Sequence, residues 1–349
     1  MQNPVAYRAI RMIAEGCASL PFTLFEGRRE LDTHPLLDLL ARPNPAETGR
    51  DLIESLAASL QIAGNAYIEA ISIDAAPREL YALRPDRVRI VPGPNGWPQA
   101  YLYAAAGRET RIGPDTEGFL PVLHLKLFHP ADDHYGLSPL EAAHRAIDLH
   151  NAAAAWGRAL LDNAARPSGA LIYKGPEGQT HLTAEQFARL RAELDEQFAG
   201  SRNAGRALLL EGGLDWRPMG LTPADMDFIR GREAAARDIA MAFGVPPMLL
   251  GIPGDATYAN YAAAQAAFWR MTVLPLAQKI AQGLTNWLGP RFGEALTLKV
   301  DPDGIDALAP ERDALWSRLN QALFLSRNEK REAAGYGALP GGDAPEETL

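Results

Sequence analysis

The sequence predicts an α+β chain in which a small α/β module is inserted between two long helices. Three observations carry that prediction. Residues 66–128 break into short runs of β character separated by turn signals. Two strong helix starts, Ser138-Pro-Leu-Glu141 and Thr222-Pro-Ala-Asp225, each open a long stretch free of further proline. Between those stretches, residues 166–221 show strand and helix patterns of their own. At 349 residues the chain is long enough for two or three packing units of roughly 100–200 residues each.

Taken in order, Asn3-Pro4 sets a capping residue before a proline at the first helical position. Val5, Ile10, Ile13 and Leu20 continue the apolar pattern, so residues 3–19 are predicted as a helix. Pro21-Phe-Thr-Leu-Phe25 follows as a strand. A helical piece from His34 to Leu40 runs into Arg42-Pro-Asn-Pro45, where two prolines stop it, and another helix covers Thr48 to Ala63 before Gly64-Asn65. Ala66–Ile73, Glu79–Leu83, Arg87–Val91, Gln99–Tyr103 and Val122–Phe128 are candidate strands, which makes residues 1–130 an α+β domain.

Ser138 then supplies a capping hydroxyl, Pro139 the first helical position and Glu141 the third. Ten of the 27 residues from Pro139 to Ala165 are alanine, and a helix of that length measures about 40 Å. The second start at Thr222 leads to Phe243 and gives a helix of about 30 Å. In the bracketed module Gly169–Lys174 reads as a strand. Thr183 caps an amphipathic helix with Phe187, Leu190, Leu194 and Phe198 on one face, and Ala207–Leu210 and Leu214–Arg217 read as strands beyond the flexible tip Gly200–Gly205. A polar, glycine-bearing loop over Ile252–Asn260 feeds an alanine-rich helix, kinked at Pro275, that ends near Trp287. Leu296–Val300 is a strand. Residues 301–349 carry ten acidic and five basic side chains, and are predicted as one helix, Pro310–Leu325, followed by a disordered Gly/Pro/Glu-rich end.

Composition narrows the function classes. The 43 acidic and 34 basic side chains leave a net charge of −9, with arginines scattered among acids. Asp225, Asp227, Glu233 and Asp238 alternate with Arg230, Arg232 and Arg237, a pattern unlike the clustered cations that hold duplex DNA. A lone Cys17 excludes an intrachain disulfide scaffold, the N-terminal residues lack a signal-peptide pattern, and no apolar run reaches the roughly 18 residues of a membrane span. The hydrophobic fraction of 47% includes 60 alanines, which favour helix but fill little core, so the helices are expected to pack against neighbours.

For chemistry, His129-Pro-Ala-Asp132-Asp133-His134 is the one cluster able to hold a divalent ion, and it supports a metal-dependent hydrolase as the alternative function. The competing reading is a turn, since Pro130, the Asp pair and Gly136 are turn formers and the spacing fits no helical metal pair. No GxSxG elbow, phosphate-binding GxxxxGK[ST] loop or GxGxxG fingerprint occurs.

Several stretches together resemble one family, the portal proteins of long-tailed (siphovirus-type) phages. They are Leu36-Leu-Asp-Leu-Leu-Ala-Arg-Pro-Asn-Pro45, Gly64-Asn-Ala-Tyr67, Leu83-Arg-Pro-Asp-Arg-Val88, and His124-Leu-Lys126 followed by Asp133 and Gly136-Leu-Ser-Pro-Leu140. Further along come Asn203-Ala-Gly-Arg206 with Leu209-Leu-Glu-Gly212, and Ile239-Ala-Met-Ala-Phe-Gly-Val-Pro-Pro247 with Tyr258-Ala-Asn260. They occur in family order over residues 3–290, and the short acidic C-terminus resembles the reduced portals of gene transfer agents.

The resemblance implies a non-enzymatic subunit of a ring, usually of twelve copies, at one capsid vertex of a virion or phage-like particle assembled in the host cytoplasm. Double-stranded DNA would be packaged and ejected through the ring. Implied partners are the major capsid protein, the terminase large subunit and a head-tail adaptor, with no membrane and no cofactor. The implied parts are a wing (1–137), a first stem helix (138–166), a clip (167–221), a second stem helix (222–246), a tunnel loop with a kinked helix returning to the wing (247–300), and a short crown with an acidic tail (301–349). Gly254, Asp255, Thr257, Tyr258 and Asn260 would face DNA, and Arg202, Asn203 and Arg206 would face the motor or adaptor.

Overall fold

The computed structural model describes residues 2–74, 76–162, 169–173, 183–189, 192, 214–218, 228–254, 257–293 and 295–344. The chain divides into two compact units, one of Met1–His144 with Ile239–Leu349, the other of Arg145–Asp238.

The larger unit begins with α1 (Pro4–Ser19), whose start is fixed by Asn3: its side-chain oxygen accepts from the amides of Val5 and Ala6 at 3.0 and 3.1 Å. Strands β1 (Phe22–Glu26) and β2 (Arg29–Leu31) form a hairpin, and helices α2 (Pro35–Ala41) and α3 (Gly49–Ala63) follow. Thr48 and Asp51 close a capping box at the start of α3, and Gly64 ends it in the left-handed conformation.

Strands β3 (Asn65–Ile73), β4 (Ala76–Leu83), β5 (Val88–Pro92), β6 (Pro98–Ala105), β7 (Arg108–Ile112) and β8 (Val122–Lys126) make two antiparallel three-stranded sheets, in the orders β4-β3-β8 and β5-β6-β7. Tyr67, Leu83, Val88, Tyr101, Ile112 and Val122 pack into one core cluster drawn from both. Three of the five candidate strands extend a little beyond their expected bounds, Arg87–Val91 is displaced by one residue to Val88–Pro92, and Val122–Lys126 stops short of Phe128. Strand β7 was not anticipated, because Arg-Glu-Thr-Arg has no apolar alternation and its first four residues are exposed.

The helix expected over 139–165 is interrupted. Pro139–Ala142 forms a single turn, α4, and α5 (His144–Asp162) starts afresh, because Ala143 sits at ψ −1° and its amide turns back onto Pro139 and Glu141. The uninterrupted piece therefore measures about 28 Å.

The smaller unit holds most of α5, the antiparallel pair β9 (Gly169–Tyr173) and β10 (Leu214–Pro218), and most of α6 (Phe228–Ala242). Thr183 caps as expected: its hydroxyl accepts from the Gln186 amide at 3.2 Å, and Gln186 Oε1 accepts from the Thr183 amide at 3.0 Å. The expected strand Ala207–Leu210, the tip Gly200–Gly205, the cap at Thr222 and the residues Arg202, Asn203 and Arg206 lie outside the described residues.

Back in the larger unit come α7 (Tyr258–Phe268), a π-helical turn over Trp269–Val273, α8 (Leu274–Phe292) and β11 (Leu296–Val300), which pairs with β1 to complete a third sheet ordered β11-β1-β2. The irregularity expected at Pro275 is that π turn. Pro275 follows the π turn directly, and because residues 269–274 are already helical its missing amide removes one rung of a continuous helix at the place where the rungs are re-spaced. Helix α1 packs against α3 and touches α8, and Ile10, Ile13, Leu56, Leu60, Ile280 and Leu284 are buried on these helices.

The predicted disorder after residue 325 is overturned for residues 326–344. Helices α9 (Ala309–Gln321) and α10 (Arg327–Ala333) are followed by a strap held on Asn328, only 1% exposed. The Asn328 side chain accepts from the Leu339 amide at 2.8 Å and donates to the Leu339 carbonyl at 2.9 Å, while its own amide donates to Gly342 O at 2.9 Å. Ala338 N then reaches Arg28 O at 2.9 Å, and Gly337 N reaches Glu30 Oε2 at 3.1 Å. Composition misjudged the segment because one buried amide side chain satisfies backbone groups that a disordered chain would leave to water.

Candidate functional site

The segment joining α6 to α7 is held at its root. Gly244 ends α6 at φ +66°, and a Cβ there would lie 2.9 Å from Thr272 Oγ1. That hydroxyl instead donates to Gly244 O at 2.6 Å, tying the root to the π turn. The π turn is pinned from its other side, where the Cys17 thiol donates to Val273 O at 3.7 Å. Cys17 is 1% exposed and burial pushes its thiol up to about 12, so it is a packing group and not a nucleophile.

Pro247–Leu250 then form a 3-10 turn ended by Gly251, and Thr257 caps α7 by accepting from the Asn260 amide at 3.2 Å. The expected loop over 252–260 is thus shorter than the sequence suggested. Gly254 lies in the connection and Thr257 is the cap, whereas Tyr258 and Asn260 belong to the first turn of α7; Asp255 lies outside the described residues. From Gly244 to Trp269 the chain carries no cation and one carboxylate, Asp255. Ala259, Asn260, Tyr261, Ala262 and Ala263 are all exposed.

A second constellation gathers residues that are far apart in the chain. Asn65, 6% exposed, accepts from Gly136 N at 2.8 Å and shares a 2.9 Å hydrogen bond with His124 Nε2, while its amide nitrogen donates to Ala63 O at 2.7 Å. His124 stacks on Tyr67 at 4.4 Å between centroids, and Tyr101 meets the edges of both rings. Burial, aided by the positive fields of Lys126 and His134, pushes His124 down to about 4, so the imidazole is neutral near pH 7. Lys126 Nζ donates to the carbonyl of Asp133, and Leu127 N donates to Gly64 O at 2.8 Å. Similarly Asn44, 3% exposed, accepts from the amides of Ala46 and Glu47 and donates to Leu80 O at 2.9 Å, sewing the Pro-Asn-Pro corner onto β4.

The His/Asp cluster resolves as the turn. Asp132 Oδ1 accepts from the amides of His134 and Tyr135 at 2.7 and 2.9 Å, bonds that hold its carboxyl below the usual range, and His129 Nδ1 accepts from Ala131 N at 3.0 Å. Asp133 contributes its backbone carbonyl. Among the described residues no three His, Cys, Asp or Glu side chains are grouped as a metal site requires, so the geometry lends the hydrolase alternative no support.

The phage portal protein family model matches residues 4–335. The chain belongs to the phage portal protein family. It is similar to the subunit in a structure of the neck of an empty gene transfer agent particle computed with C6 symmetry: 52% identity, 97% of this chain and 91% of that one covered, TM-score 0.75. The neck of a native gene transfer agent particle computed with C12 symmetry matches at 51% identity over the same shares, with a TM-score of 0.72. The probable portal protein of Streptomyces phage phiC31 is 28% identical over 360 residues, covering 98% of this chain and 76% of that protein.

As a portal subunit, the chain has its described family-resembling stretches concentrated at structural locks. Gly64-Asn-Ala-Tyr67, His124-Leu-Lys126, Asp133 and Gly136-Leu-Ser-Pro-Leu140 are the two halves of the Asn65 constellation. The Ile239–Pro247 stretch is the buried end of α6 and the root at Gly244. Family order was the sequence signal for these residues; their mutual contacts were invisible before folding.

Proposed function

We propose that this portal subunit assembles into a closed ring of twelve copies at one vertex of a phage or gene transfer agent capsid, and that duplex DNA passes through the ring during packaging and ejection. The observation that carries the reading is the surface of α7. Its first half is an uncharged, alanine-rich helix exposed on successive positions, a surface that is costly to leave in water but well shaped for close packing against copies of itself. Leu149 on α5, 57% exposed, and Met241 on α6, 73% exposed, are further large apolar side chains that the subunit leaves in water. The C12 symmetry of the similar neck structure supports the copy number.

In this reading residues 1–137 are the wing, α5 and α6 belong to the stems, and 167–221 form the clip, whose Arg202, Asn203 and Arg206 meet the terminase large subunit or the head-tail adaptor. The segment around Gly254 and Thr257, with Tyr258 and Asn260 on the first turn of α7, faces DNA. A stretch without cations suits a surface past which duplex slides, because every neutralised phosphate adds salt-dependent affinity and hence drag. The part is structural, not catalytic. The major capsid protein surrounds the wing, and no described helix is long and apolar enough to cross a membrane.

Negative-stain imaging of the purified protein tests the reading. Rings with an axial hole about as wide as duplex DNA are expected; a monodisperse monomer that persists at high concentration with capsid protein present overturns it.

A further inference from the structure

The turn between α9 and α10 presents two large apolar side chains to solvent, Leu323 at 69% and Phe324 at 86% exposure. The turn is built, not loose. Leu323 N donates to Gln321 O at 3.0 Å, Leu325 N donates to Ala322 O at 3.2 Å, and Ser326 closes a capping box with Glu329 at the start of α10. A rigid turn that holds a phenylalanine outward keeps its ordering cost low when that ring is later buried.

At the opposite end of α9 lies a cavity of about 420 Å³, lined by Leu20, Pro21, Trp269 and Ile305, with Asp301 and Asp306 among its walls. The 13 residues of α9 separate the two features by about 20 Å, so a chain cannot place its own Phe324 in its own cavity. Charge also matches: Asp306 is exposed beside the cavity, and Arg327 is exposed three residues beyond Phe324.

We propose that Leu323 and Phe324 of one subunit enter the cavity lined by Leu20, Trp269 and Ile305 on the next subunit of the ring, with Arg327 facing Asp306 across the contact. This rests on the ring reading above. Two different surfaces that match each other make a head-to-tail interface, and a ring is the closed form in which every copy both donates a knob and receives one. The contact buries the most exposed aromatic side chain of the described residues and covers a cavity that is otherwise open to water.

The test is a cysteine pair, Phe324→Cys with Ala307→Cys, in the full chain; native Cys17 is 1% exposed and does not compete. Oxidation is expected to give a ladder of covalent multimers, while Trp97→Cys with Ala307→Cys gives none. Phe324→Asp, on a side chain outside the subunit core, is expected to raise the concentration for half-assembly by about tenfold or more with unchanged subunit melting. Asp306→Arg is expected to weaken assembly, and adding Arg327→Asp to restore it. Rings that form without the ladder, or that tolerate Phe324→Asp, overturn this contact and leave the ring standing. A wild-type chain that never forms rings overturns both.

Discussion

Gly64 and Gly136 face one another so closely that neither position has room for a side chain. A Cβ on Gly64 would lie 2.3 Å from the Gly136 carbonyl oxygen, and a Cβ on Gly136 would lie 2.1 Å from the Gly64 oxygen. Gly64 also sits at φ +69°, so it is constrained twice. This backbone contact lets Asn65 reach Gly136 N and closes the 127–138 segment over the end of α3.

Gly64→Ala and Gly136→Ala are therefore each expected to destabilise the chain by about 3 kcal/mol, through displaced backbone and, at Gly64, left-handed strain. Urea unfolding of the two variants measures this; a loss below about 1 kcal/mol in both would remove the lock from the account.

Stability is expected to fall as pH drops from about 6.5 towards 4. His124 is neutral in the folded chain with its value pushed down to about 4, while the unfolded imidazole titrates near 6.5. In that window the unfolded state binds more protons, so acid favours unfolding, by about 3 kcal/mol from this residue once pH 4 is reached. His150, lowered by burial and by Arg232, acts in the same direction. His124→Phe keeps a ring against Tyr67 and is expected to flatten most of the slope in thermal melts between pH 6.5 and 4.

Arg291, with a side chain only 12% exposed, spans Asp115 at 2.7 Å and Glu117, and its guanidinium lies 4.6 Å from the Phe119 centroid. Arg291→Ala is expected to cost about 2 kcal/mol, because Asp115 is partly buried and loses its partner. Glu117 is 60% exposed, and Glu117→Gln is expected to change little. A double-mutant cycle with Asp115→Asn separates the ion pair from the lost packing on Phe119.

Deleting Gly254–Ala256 leaves the Thr257 cap and all of α7 in place. Rings are expected to form normally while DNA packaging or retention falls. Loss of ring formation in this variant would count against a purely DNA-facing role for the connection. Thr257→Ala is the local control, costing about 1 kcal/mol of helix stability.

Much of the fold was legible beforehand because local signals act locally. Asn3-Pro4, Thr48, Ser138-Pro139 with Glu141, and Thr183 each mark a helix start, and each cap is present; the partners Asp51 and Gln186 that complete two of them emerged with the structure. The errors fell where distant partners decide. Arg108–Ile112 becomes a strand because β6 offers it an edge, and the strap after Ala333 is ordered because Asn328 and β2 supply its hydrogen bonds. The irregularity expected at Pro275 takes the form of a π turn that ends two residues before it, where Thr272 donates to Gly244 O and Cys17 donates to Val273 O, contacts no local pattern announces.

By itself the sequence determined the helix starts, the family to which the chain belongs and the scarcity of charge between Gly244 and Trp269, all properties of neighbouring residues or of their order. Only the tertiary structure decided that His129–His134 is a turn, that Asn65, His124 and Gly136 form one buried lock, and that Phe324 stands exposed at the far end of α9 from the cavity beside Ile305. Those outcomes depend on groups tens to hundreds of residues apart, and no local pattern encodes which of them meet.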